Sequence, residues 1–157
     1  MKKIFFIFLL ILPINVYSII YPIEPRYASL KKDRVYLRYN ASFDAPIKFI
    51  YQKKNLPILI IDKHDVWKKV RDIDGEEGWI HTSMISNKET FINEKEQNLL
   101  KYKDNNSIVN AIVKKGVVGK IMNCSEKFCK VKIKPYRGWM EKKYLWGIKK
   151  INSLYLN

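Results

Sequence analysis

The chain has 157 residues, 47% hydrophobic and 29% charged, with 30 Lys and Arg against 15 Asp and Glu and a formal net charge of +15. That length suits one ordinary domain or two small ones. The cations are 25 Lys against 5 Arg, which argues against a nucleic-acid reader, since phosphate and base-edge recognition lean on Arg. What remains is a solvated basic surface whose long-range field attracts anionic envelope surfaces.

Residues 1–18 have the layout of a secretory signal peptide: Lys2 and Lys3, an apolar run from Ile4 to Leu12, then Val16-Tyr17-Ser18 as a cleavage point. Pro13 and Asn15 interrupt the run, which is short of the ~20 apolar residues of a membrane span. The expectation is an exported protein, periplasmic or otherwise in the cell envelope, with the leader cleaved or kept as an amino-terminal anchor.

Beyond the leader the pattern is strand-like and broken by turns. Val35 to Tyr39 alternates and is rich in β-formers. Asn40 to Pro46 reads as a loop, Ile47 to Tyr51 as a strand, and Lys53-Lys54-Asn55 as a turn in which Asn takes a left-handed conformation. Leu56 to Ile61 is an apolar run of strand length. Val66 to Asp72 then pairs with Glu77 to His81 across Asp74-Gly75, a strong hairpin signal. Only a polar stretch near Glu94 to Gln97 hints at helix. The chain is predicted to be all-β.

The pattern is then repeated. Gly78-Trp79-Ile80 returns as Gly138-Trp139-Met140, 60 residues later. Trp67-Lys68-Lys69-Val70 matches Phe128-Cys129-Lys130-Val131, and Lys53-Lys54-Asn55-Leu56-Pro57-Ile58 matches Lys114-Lys115-Gly116-Val117-Val118-Gly119. Such a period means two copies of one small module. The predicted boundaries are 26–88 and 99–150, with 89–98 as a linker (strand pairing at Phe91-Ile92 being an option) and 151–157 as a tail. A module of this size buries only about 60% of its unfolded surface and is marginal alone. Trp146, after the last strand, is placed between the modules.

Val35-Tyr36-Leu37-Arg38, the Trp67-x-x-Val70 strand and the closing Gly78-Trp79-Ile80 resemble the bacterial SH3-like domain. Together with Arg26-Tyr27-Ala28-Ser29-Leu30-Lys31, the Asp72 to Trp79 hairpin and Tyr144-Leu145-Trp146-Gly147, they resemble an alphaproteobacterial exported family with two such domains. The resemblance covers residues 26 to about 148 and implies two tandem SH3-like β-barrels with an envelope role. Two departures stand out: the loop reads Tyr39-Asn40-Ala41-Ser42-Phe43, and the second copy opens Leu99-Leu100-Lys101-Tyr102, with Lys where Arg is usual.

Cys124 and Cys129 are the only cysteines. An even count in an exported chain reads as a disulfide, and Ser125 to Phe128 is a hairpin turn that lets them meet. The alternatives are free thiols or a metal site short of ligands, since zinc wants four and the only histidines, His64 and His81, fall in the other module. The same cysteines are poorly placed for a cysteine peptidase, which needs a thiolate beside a His base. No catalytic, cofactor or metal residues are assigned, and the protein is expected not to be an enzyme. Asp72, Asp74, Glu76 and Glu77 read as a solvated turn.

The aromatics are the binding candidates. Trp67 and Val70 have opposite strand parity, so with Val70 in the core Trp67 faces outward. Tyr36, Trp67, Trp79 and Tyr51 form a predicted groove, with Tyr136 and Trp139 as counterparts in the second copy. The alternative is that these rings pack one module on the other. The leading expectation is a non-catalytic binder of peptidoglycan or another wall component. The second is a periplasmic adaptor for an extended segment of an envelope protein. Ligand identity and oligomeric state stay open.

Overall fold

The computed structural model describes residues 23–148, so the predicted leader, 1–18, and the predicted tail, 151–157, lie outside the described residues. The first module is built from β1 (Arg26–Leu30), β2 (Val35–Arg38), β3 (Ile47–Tyr51), β4 (Pro57–His64), β5 (Trp67–Arg71), β6 (Glu77–His81) and β7 (Ile85–Ser86), with a 3-10 turn at Thr82–Met84. The second repeats it with β8 (Thr90–Asn93), β9 (Gln97–Leu100), β10 (Val109–Val113), β11 (Val118–Cys124), β12 (Phe128–Ile133), β13 (Tyr136–Glu141) and β14 (Leu145–Trp146). Each forms a seven-stranded sheet, in the orders β3-β2-β6-β5-β4-β1-β7 and β10-β9-β13-β12-β11-β8-β14. The all-β architecture in two copies is as the sequence predicted.

Alternation along each strand decides which side is the core. In β2, Val35 and Leu37 are buried while Tyr36 and Arg38 point outward. Ala28, Leu30, Tyr51, Ile58, Ile60, Val70 and Ile80 complete the first core. Phe91, Leu99, Val131 and Met140 are the centre of the second. Each such fully buried side chain contributes roughly 1.5–3 kcal/mol.

The Gly-Trp signature has a steric cause. A Cβ on Gly78 would lie 2.7 Å from both Arg38 O and Leu37 Cγ, and one on Gly138 would lie 2.6 Å from Leu100 O and 2.7 Å from Leu99 Cγ. Only glycine lets β6 and β13 cross so close to β2 and β9. This crossing also sets the register between copies: Leu99 stands where Leu37 does, so Leu100 occupies the Arg38 position. Lys101 lies one residue beyond it, and no cation replaces Arg38 there.

The predicted linker 89–98 is corrected in its bounds, while its optional strand pairing at Phe91-Ile92 is present. Residues 90–93 are β8, the first strand of the second sheet, and Gln97 already begins β9. The reason is Phe91, fully buried, which pairs with Gly119 on β11. A Cβ on Gly119 would lie 2.6 Å from that ring. At the matching place in the first module, Ala28 pairs with Ile58. Large and small residues have exchanged strands. At the next position Leu30 gives way to Asn93, also fully buried. Its Nδ2 donates to Val113 O and Lys114 O, each at 3.0 Å, and its Oδ1 accepts from Gln97 Nε2 at 2.8 Å. The buried amide is thereby satisfied.

Cys124 and Cys129 are joined by a disulfide across β11 and β12, where they are register partners. The equivalent pair in the first module is Lys63 and Lys68. The modules meet where Tyr27 packs edge-on against Trp146, ring centroids 5.1 Å apart. Lys53 Nζ donates to Gly116 O at 3.2 Å across the same junction.

Candidate functional site

The outer face of β2, β5 and β6 carries the first module's aromatic side chains. Trp67 is the register partner of His81, and Arg38 that of Trp79. Because partners share a face, Trp67, Trp79, His81 and Arg38 all project from the side opposite Val70 and Ile80. Strand parity therefore places Trp67 correctly, but it is not exposed. The loop after β2 turns back and sets the Phe43 ring against it, centroids 4.9 Å apart. His81 approaches Trp67 to 5.4 Å and Phe43 to 5.2 Å. Trp67 is left 5% exposed, while Phe43 above it is 66% exposed.

The loop is held by Arg38, whose guanidinium donates to Ala45 O. That guanidinium also lies 5.9 Å from the Tyr36 ring centroid, and Arg34 lies 5.4 Å from it. Together Tyr36, Phe43, Trp67 and His81 wall a cleft of about 400 Å³ that Arg34 and Arg38 border and Ser83 and Met84 close. The imidazole is oriented by its neighbours: Ser83 N donates to His81 Nδ1 at 3.3 Å, and Ser83 Oγ lies 2.7 Å from the same nitrogen. Such a cleft offers aromatic faces for stacking and two guanidiniums that fit carboxylates.

The remaining predicted residues lie elsewhere. Tyr51 belongs to the first core, 4% exposed, and is not a groove residue. It ends β3 facing inward, and its hydroxyl donates to Asp72 Oδ2 at 2.9 Å. Burial first, and then Asp72, push this phenol well above the ordinary tyrosine range. Asp72 is likewise not a solvated turn residue. It is buried, and its Oδ1 accepts from Asp74 N and Glu76 N at 3.0 and 2.9 Å. Trp79 is half-buried beside the cleft, 6.4 Å from His64. Glu77, below it on β6, is hydrogen-bonded to Arg71 and Lys69, which hold its carboxyl below the usual range. The rings at the module junction are Tyr27 and Trp146, not the groove candidates.

The second module does not reproduce the cleft. Its register puts Asn98 in the place of Tyr36, Phe128 in that of Trp67 and Glu141 in that of His81. The corresponding depression is walled by Asn105, Phe128, Glu126, Glu141 and three lysines. Tyr136 is 53% exposed on a separate hairpin, and Trp139 has Lys103 6.0 Å from its ring centroid. Phe43, Arg34 and Arg38 are the residues that sequence reasoning missed. An apolar ring inside a polar loop was the available signal for Phe43. Among the described residues there is no group of His, Cys, Asp and Glu suited to a metal ion, and no helix is long and apolar enough to cross a membrane.

Residues 31–87 and 93–147 each match the family described as "Bacterial SH3 domain". The chain belongs to this family, as two tandem copies. No curated protein matches it at a significant level. Among solved structures, it is similar to NlpC2 and NlpC1 from Trichomonas vaginalis, at 14% and 15% identity, TM-scores 0.37 and 0.36, and 78% coverage of this chain in both. The chain spans about half the length of those structures, 48% and 46%, and likeness at this level does not bear on function.

Proposed function

We propose that the protein is an exported, non-catalytic binding module of the cell envelope that recognises peptidoglycan or another wall component through the aromatic cleft of its first barrel. The observation that carries this reading is the cleft of Tyr36, Phe43, Trp67 and His81 with Arg34 and Arg38 at its border. Aromatic walls stack against sugar and peptide faces, and guanidiniums pair with stem carboxylates. What supports the non-catalytic reading over a cysteine peptidase is that Cys124 and Cys129, the chain's only cysteines, are joined to each other.

Retention on purified sacculi across a salt series tests it. The wild type is retained, and Tyr36→Ala and Phe43→Ala are released while melting as the wild type does. Equal retention of both variants removes the cleft from the reading, and no retention of the wild type at low salt removes the wall.

A second reading has its own observation. β3 ends its sheet and pairs only with β2, and it exposes Ile47 and Phe49. An extended segment of an envelope protein adds to such an edge by main-chain hydrogen bonds. Co-purification with one envelope protein, insensitive to Phe43→Ala and lost on Phe49→Asp, favours this adaptor role.

A further inference from the structure

We propose a second site, distinct from the aromatic cleft: a phosphate-binding cleft at the junction of the two modules. Lys53 and Lys54 of the first module, Lys88 of the connection, and Lys120, Lys132 and Lys134 of the second converge on one cavity of about 570 Å³. No Asp or Glu lines it. Lys48, Lys69, Arg71, Lys114 and Lys143 each hold a carboxylate, whereas none of the six cleft lysines forms an ion pair among the described residues.

Register makes the crowding unavoidable. Lys120 and Lys132 are directly opposed on β11 and β12, and like charges so placed destabilise a sheet. Thr90 is the partner of Lys120 on the other side. It is 4% exposed, lines the cleft, and carries the one buried side-chain polar atom among the described residues without a hydrogen-bond partner, its Oγ1. A site with uncompensated cations and an unpaired hydroxyl is organised for an anion rich in acceptor oxygens. Lysine ammoniums act as point charges on phosphate, and several around one cavity suit a diphosphate or two neighbouring phosphate monoesters better than a single carboxylate. The group is carried by a lipid headgroup or by a soluble phosphate compound, and both present the same chemistry to the cleft.

The test uses the oxidised chain without its leader, with inorganic pyrophosphate and with phosphatidylcholine vesicles containing phosphatidic acid as probes. One variant is Lys120→Gln/Lys132→Gln/Lys134→Gln. A charge-matched control is Lys32→Gln/Lys63→Gln/Lys101→Gln, away from the cleft. Pyrophosphate is expected to bind the wild type saturably and raise its melting temperature, and to lose at least tenfold in affinity for the cleft variant. The control stays within about twofold. The cleft variant itself is expected to melt no lower than the wild type at low salt, because it loses opposed charges. If vesicle retention falls with the cleft variant, the site takes lipid headgroups. If vesicles are not retained while pyrophosphate binds, it takes soluble phosphates. Equal losses in the two variants, or no saturable pyrophosphate binding by the wild type, overturn the proposal in favour of a diffuse basic surface.

Discussion

The Tyr51 hydroxyl donates to Asp72 Oδ2 at 2.9 Å, so the end of β3 is bonded to the turn between β5 and β6. The opposite carboxyl oxygen receives two amides of that turn, and Gly75 supplies its positive φ of 89°. One buried acid thus organises a hairpin and ties it to the neighbouring sheet edge. In the second module the matching residues are Val113 and Ile133, and the polar pair is replaced as a unit.

Tyr51→Phe should therefore cost about 2 kcal/mol, the scale of a hydrogen bond to a carboxyl group. Its pH signature distinguishes it from a packing defect. The unfolded phenol ionises near pH 10 while the folded one keeps its proton. The contribution of Tyr51 is complete below that pH and is lost as pH rises above it. Thermal melts from pH 8 to 11 should fall more steeply for the wild type than for Tyr51→Phe, and parallel curves would refute the assignment.

Reduction of Cys124–Cys129 should lower stability by about 2 kcal/mol in the chain-entropy view, or roughly 10 °C in the second module's melting. The double variant Cys124→Ser/Cys129→Ser should melt at the reduced protein's temperature and ignore reductant. A wild-type melt unchanged by reductant would show that the bridge contributes nothing.

Trp67 separates folding from recognition when it is substituted by its own counterpart. Truncation to Ala empties a covered site and should cost roughly 3–5 kcal/mol. Trp67→Phe places there the residue that the second module uses at Phe128. We expect it to retain the fold, shown by a melt within a few degrees of the wild type, and to lose binding to sacculi several-fold in a sedimentation assay. Wild-type binding by Trp67→Phe would exclude the indole from recognition.

The strand framework was readable because each strand alternates and each hairpin carries its turn residue, as Asp74-Gly75 does. The repeat was readable because two glycines sit where β2 and β9 leave no room for a Cβ. β8 was only half legible: Phe91-Ile92 read as an optional pairing, but Thr90 and Asn93 at its ends are polar residues that are buried here and hide the strand's extent. The cleft was legible only in part. Parity put Trp67 on the outer face, but nothing in a polar loop states that it folds back, and Phe43 decides how much of Trp67 remains visible. Tyr51 was misplaced because its partner Asp72 reads as a turn residue until the two are seen together.

Thr90→Val should raise stability by about 1 kcal/mol, since an unpaired buried hydroxyl carries a desolvation cost of roughly 1–3 kcal/mol. Chemical denaturation measures it directly. A lower midpoint would mean that the hydroxyl has a partner in solution.

The exchange of bulk between Ala28–Ile58 and Phe91–Gly119 also bears on how such a chain can change over generations. Tandem copies invite recombination with each other, and a crossover falling between the first and fourth strands would join Ala28 to Gly119 or Phe91 to Ile58. The first hybrid has a void at its centre and the second a collision. The two halves are thus insulated from homogenisation. That leaves one free to keep a ring-lined cleft while the other drifts toward a different surface.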